Sequence, residues 1–313
     1  MQAWSKEFEA LYRQPGCLHS RTFIDLKSGK KQVFAGAEDC LYIDIWAPRS
    51  AAENAAQTEE QLPVVIWLNG GGDKIGASSY VSGYGFAGTQ QVVFVSVNNR
   101  LAHLGFFYHR ATRNTAETLG ERSGNYGLLD IIYALNWVQN NIANFGGDNK
   151  NITVIGAGDA GSHAAALIAS PSAEGSFQKA IIQGGSMKSL SKSEAEHFHD
   201  DDVPGVRSSS NEVILDLLLL RKVAADRDEA RSDINTMSDE SLRAFLEGQS
   251  AESIIGVDDD HPGETGELHA LVPLPIRDGF VIPQMSLYEL FSDPISYNNV
   301  PMLSLRDAEN LAA

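Results

Sequence analysis

Catalytic chemistry in this chain would be concentrated in one short run, Ile152-Thr-Val-Ile-Gly156-Ala-Gly158-Asp159-Ala160-Gly161-Ser162. Four apolar or β-branched residues lead into a turn of small ones, and the small residues continue into a stretch that can open a helix. A hydrolytic α/β sheet presents its nucleophile on such a strand-to-helix turn, where flanking residues must be small because neighbouring backbone comes close. Standing alone, the run reads first as a plain glycine turn.

Other chemistry-bearing residues are scattered. Cys17 and Cys40 are too few for a disulfide scaffold, and no histidine lies at metal-ligand spacing from them, which leaves one disulfide open. The acidic clusters Asp200–Asp202 and Asp258–Asp260 lack calcium-loop spacing and read as solvated turns. No metal and no cofactor is expected.

The elements that must position the run follow the hydrophobic pattern. Leu41 to Ala47 alternates as a half-buried strand, whereas Val64–Leu68 and Val92–Val97 are continuous apolar runs expected to be buried on both faces. Between them lies Gly70-Gly71-Gly72. Leu128 to Ile142 has helical spacing, Asn144 to Asp148 reads as a turn, and Asn151–Ile155 and Lys179–Gln183 as strands flanking a helix over Ala164–Ala169. Strand and helix alternate, which predicts an α/β fold with a mostly parallel central sheet. From about 187 to 270 the expectation changes to polar helices and charged loops within a single domain spanning 1–313.

A formal charge of -17 sets the chain against nucleic acid and anionic membrane surfaces. The longest apolar stretches, Leu62–Leu68 and Val213–Leu220, fall short of the roughly 20 residues that a membrane helix needs, so a soluble protein is expected. The first residues show no basic segment followed by an apolar one, so no secretion signal is read there.

Several segments, in order, resemble the type-B carboxylesterase and cholinesterase family of the α/β-hydrolase fold. Glu38-Asp-Cys-Leu-Tyr-Ile-Asp-Ile-Trp-Ala-Pro48 is similar to its first signature, and Leu62-Pro-Val-Val-Ile-Trp-Leu-Asn69-Gly-Gly-Gly72 to its oxyanion loop. Val97 to Leu101 with Leu104 to Phe107 resembles the strand and turn that follow. Gly124-Asn-Tyr-Gly-Leu-Leu-Asp130 through Phe145-Gly-Gly-Asp148 is the most specific stretch. The resemblance covers the middle of a family member, so the fold is expected to be truncated at both ends.

The resemblance implies a site and shows where this chain departs from it. The family's serine falls on Gly158, which carries no nucleophile; neuroligins, adhesion proteins of the family, likewise show glycine there. Gly71, Gly72 and the backbone N–H of Asp159 correspond to the oxyanion hole, where an ionised Asp159 carboxylate would repel developing negative charge. Asn69 stands where the family has histidine. Glu309 is the candidate triad acid, with Asp307 its rival, and none of the eight histidines follows it. Cys17 and Cys40 resemble a family disulfide pair. Members are often secreted or periplasmic, and the compartment is left open.

The expectation is an esterase-like protein without ester hydrolysis, acting as a binding or interaction module. One alternative is a fragment or degenerate copy of a carboxylic ester hydrolase, whose uncovered sheet edge would recruit a protein partner or a second copy. Another uses Asp159 as the nucleophile, because Ala157 to Gly161 has the small-x-Asp-x-Gly form of the dehalogenases and epoxide hydrolases of this superfamily. A carboxylate nucleophile still needs a base for the hydrolytic water.

Overall fold

The structure, a computed structural model, describes residues 12–25, 29–54, 61–70, 76–260 and 274–305. Its strands are β1 (His19–Asp25), β2 (Gly29–Ala35), β3 (Ile43–Trp46), β4 (Leu62–Leu68), β5 (Val93–Val97), β6 (Gly147–Ala157), β7 (Lys179–Gln183) and β8 (Met302–Leu305). β1 and β2 form an antiparallel hairpin that the hydrophobic pattern did not announce. The other six build one sheet in the order β3-β5-β4-β6-β7-β8. Only β3 runs antiparallel to its neighbour, so the mostly parallel α/β sheet expected from the pattern is what the chain forms.

Interior strands differ in how they are covered. β5 is buried at every position, as its apolar run predicts. β4 is not: Val64, Ile66 and Leu68 are buried, while Val65 and Trp67 are only partly so, because one face of the strand packs more closely than the other. β6 starts four residues before the expected strand. Gly147 already pairs with Leu62, and a register shift separates that pair from Val64↔Ile152. Backbone hydrogen bonding decides this extension, which a hydrophobic pattern cannot report.

Two long helices pack into the main core, joined by Leu287 and Leu290 of the short helix Leu287–Ser292. Tyr126–Asn141 contributes Leu128, Ile131, Leu135 and Val138, and Asp159–Ala169 contributes Ala164, Leu167 and Ile168, against Val64, Ile66, Ile152 and Val154 of the sheet. Residues at i, i+3, i+7 and i+10 form the inward stripe of the first helix. The second is buried along nearly its whole length, which its run of alanines permits by allowing close approach.

The region expected to hold polar helices and charged loops is helical, and it also carries a buried apolar cluster. Helices Lys192–Glu196, Ser210–Leu220, Arg227–Thr236, Asp239–Glu247 and Ala251–Asp260 lie there. Val213, Ile214, Leu215, Leu217 and Leu218 are buried with Ala230, Ile234, Leu242 and Val257 in a second hydrophobic cluster. Ser210–Leu220 is buried along most of its length, whereas Arg227–Thr236 and Asp239–Glu247 bury only Ala230, Ile234 and Leu242, which is why polar residues dominate their sequence. Ser191, Ser209, Asp226 and Ser238 cap these helices, each accepting the backbone N–H three residues on.

Cys17 and Cys40 are joined in a buried disulfide. β8 is the last strand of the sheet among the described residues, and Met302, Leu303 and Leu305 are exposed. Among the described residues no helix is long and apolar enough to cross a membrane.

Candidate functional site

β4 lies inside the sheet with β5 on one side and β6 on the other. In open α/β sheets, ligands bind beyond the carboxyl ends of strands where the order reverses in this way. Parallel pairing puts Leu68, the end of β4, beside Gly156 near the end of β6. The segments leaving these two strands, Asn69-Gly70 and Gly158, are therefore neighbours. A Cβ on Gly70 would lie 2.5 Å from the Ala157 carbonyl oxygen, so the loop can approach the elbow only as glycine.

The elbow is a crowded backbone structure with an open tip. A Cβ at Gly156 would lie 2.0 Å from the Ala160 carbonyl oxygen, and one at Gly161 2.6 Å from that of Gly184. Gly185, at φ +90°, would meet Ser162 N at 2.7 Å and Gly158 O at 2.8 Å. Gly158 itself sits at φ 60°, ψ -128°. Its N–H donates to Gln183 O at 2.9 Å, and its carbonyl accepts from Gly161 N at 2.8 Å. A Cβ built there meets nothing within 4 Å among the described residues. The apex therefore leaves its side-chain position clear of them, and no side chain is present.

Neighbouring polar residues are committed elsewhere. Asn69 is buried; its amide donates to Val97 O at 2.6 Å and its carbonyl accepts from Ser96 Oγ at 3.4 Å, which ties β4 to β5. Ser162 lies past the apex in the helix, where its hydroxyl accepts the Ser186 N–H at 2.7 Å. Asp159 is the first residue of that helix and partly exposed. Among the described residues its carboxylate has no imidazole partner. His163 is buried and stacks on Phe106, with ring centroids 5.5 Å apart. Gly71, Gly72, Asp307 and Glu309 lie outside the described residues.

His19 and His109 serve the scaffold. His19 donates from Nδ1 to Cys17 O at 2.9 Å, leaving Nε2 to accept the Tyr80 hydroxyl at 3.2 Å. His109 Nδ1 accepts the Ala111 N–H at 3.1 Å, and its Nε2–H donates to Asn211 Oδ1 at 3.1 Å. Burial, reinforced by the Arg110 charge, pushes the His109 pKa down to about 4, so the ring is neutral at pH 7.

The acidic turn at 200–202 is more than a solvated loop. His199, Asp200 and Glu212 bring their ligand atoms within 4.8 Å of one another, but the positive charge among them is already that of Arg227. Its guanidinium donates to Glu212 Oε2 at 2.7 Å and Oε1 at 2.8 Å, and to Asp200 Oδ1 at 3.0 Å. Arg231 adds bonds to Asp200, at 2.8 Å, and to Asp201. The Arg227 hydrogen bond draws the Asp200 pKa down to about 2. At Glu212, burial works to raise the carboxyl, and the bonds from Arg227 and His199 outweigh it, leaving it below the usual carboxylate range. Sequence reading missed this hub because its members lie far apart in the chain.

Comparison with known proteins agrees with this geometry. The model of the carboxylesterase family matches residues 1–304. A para-nitrobenzyl esterase of Bacillus subtilis (strain 168) is 40% identical over 161 residues, covering 51% of this chain and 30% of that protein. A fumonisin B1 esterase of Sphingopyxis macrogoltabida is 37% identical over 200 residues, covering 62% and 35%. A solved PNB esterase structure superposes with a TM-score of 0.61 at 27% identity, over 87% of this chain and 49% of that one. The chain thus spans less than half the length of each of these relatives. With its parallel sheet, its glycine-lined strand-to-helix elbow and a family match along nearly all its length, the chain belongs to the carboxylesterase family.

Proposed function

We propose that this chain is an esterase-like protein that does not hydrolyse esters by the serine route and that serves instead to bind a ligand or a partner. One observation carries the reading: Gly158 occupies the apex of the elbow, with its side-chain position clear of every described residue. Covalent catalysis needs a nucleophile poised at that point. The surrounding backbone keeps the shape of a site. A helix start such as that at Asp159 offers backbone N–H groups that can receive a carbonyl or carboxylate oxygen without attacking it, although the Gly161 N–H is already taken by Gly158 O.

Asp159 is the rival nucleophile. Its place after the apex and its lack of an imidazole partner among the described residues favour the non-catalytic reading, because a carboxylate ester intermediate still requires an activated water.

Purified protein is expected to turn over p-nitrophenyl acetate and butyrate at the buffer rate. Turnover well above background that disappears in Asp159→Asn, together with a covalent adduct on Asp159 by mass spectrometry, would overturn the proposal. Gly158→Ser tests the geometry separately. The hydroxymethyl group has room, but a serine at φ 60° carries a cost of about 1–3 kcal/mol, so the variant is expected to fold with a modestly lower Tm.

A further inference from the structure

We propose that a cleft of about 450 Å³ lined by Arg113, Arg122 and Lys192 binds a small organic anion, a carboxylate or phosphate monoester carrying a flat apolar body. None of its lining residues belongs to the elbow. The volume lies within the range of small-molecule sites, and the surrounding charges argue for an anion.

Three cations converge there in a chain of formal charge -17. Arg113 is already matched: it donates to Glu196 Oε2 at 2.8 Å and lies over the Tyr108 ring at 4.4 Å. Arg122 donates to a carbonyl, Ala116 O, at 3.2 Å, and neither it nor Lys192 pairs with a carboxylate among the described residues. Asp278 is the one acid of the lining among the described residues. Its Oδ1 accepts the N–H groups of Phe280, Val281 and Ile282 at 3.1, 3.0 and 2.9 Å and its Oδ2 that of Val281 at 3.2 Å, so the carboxylate is held by its own turn. Arg122 and Lys192 together still exceed its single negative charge, and an oxyanion supplies the balance. The exposed Leu119 and Phe280, with the buried Tyr108, supply an apolar wall for the rest of the ligand.

Calorimetric titration of the whole chain with phenyl phosphate and with benzoate tests this, with inorganic phosphate, acetate and benzyl alcohol as comparators. Saturable binding of at least one aromatic anion is expected, and the tighter of the two identifies the headgroup. Acetate and inorganic phosphate should bind at least about threefold more weakly for want of the apolar wall. The double variant Arg122→Gln/Lys192→Gln should weaken binding about tenfold or more, while the surface pair Lys150→Gln/Lys179→Gln, with the same change in net charge, should leave it unchanged. If the double variant loses its cooperative melt, each single variant should still weaken binding about threefold. The proposal is overturned by no saturable binding to the wild-type chain, by benzyl alcohol binding as well as benzoate, or by equal losses in the two double variants.

Discussion

The elbow and the helical layer over residues 192–260 are held by opposite means. At the elbow, backbone packs on backbone, and glycines at 156, 161 and 185 make room where a methyl group has none. In the helical layer, side chains meet across long sequence distances: Arg110 with Asp239, Arg113 with Glu196, His109 with Asn211, and Arg227 with Glu212 and Asp200. The first arrangement resists pH and salt but tolerates almost no added atom. The second tolerates side-chain changes at its periphery but depends on protonation.

Gly156→Val should break the first arrangement outright. Its Cβ would lie 2.0 Å from a carbonyl oxygen inside the core, and relief requires moving the helix start. A loss of roughly 4 kcal/mol or more is expected, read from urea unfolding, because overpacking and backbone strain act together.

Acid should separate the two regions. His109 has a folded-state pKa of about 4 against an ordinary 6.5. Below pH 6.5 the unfolded chain takes up a proton that the folded chain refuses, so stability falls as pH drops from 6.5 to about 4 and the effect is complete below that. The loss attributable to this ring is about 3 kcal/mol. Hydrogen exchange at pH 4.5 should show residues 210–247 losing protection before β4 to β6, and His109→Gln should flatten that part of the pH profile. Simultaneous opening of both regions would remove the distinction. The carboxylates of Glu212 and Asp200 add a further loss at lower pH, since both are held below their ordinary values and stabilise the fold only while ionised.

A smaller effect sharpens the same contrast. Glu212→Ala removes a buried carboxylate from beneath Arg227, but that arginine keeps Asp200 and is one-third exposed. About 2 kcal/mol is expected, below the range for a fully buried pair, with the melt of β-sheet signals little changed.

How far the sequence could be read follows from the same division. Alternating apolar strands and helices, and the small residues at 156–161, were legible because each is encoded locally. The seats of the elbow at Gly184 and Gly185 were not, since they belong to the turn after β7 and reach the elbow only by parallel pairing. The β6 extension to Gly147 was hidden for a related reason, being a matter of backbone pairing with Leu62. The second hydrophobic cluster was masked by a polar average over helices such as Arg227–Thr236 and Asp239–Glu247, which bury one or two residues each. The arginine hub unites residues 199, 200, 212, 227 and 231 through contacts that composition cannot locate. Glycines 71 and 72 and the acids at 307 and 309, named from resemblance, lie outside the described residues.

The open space around Gly158 has a meaning for descent. A residue hemmed in by its neighbours can change only when they change with it, whereas at position 158 the limit is the backbone angle, φ 60°, and not a neighbour among the described residues. Across chains of close ancestry, position 158 should therefore vary among the few residues that bear a positive φ while 156, 161 and 185 stay glycine. The scaffold would then outlast many changes of occupation at its tip.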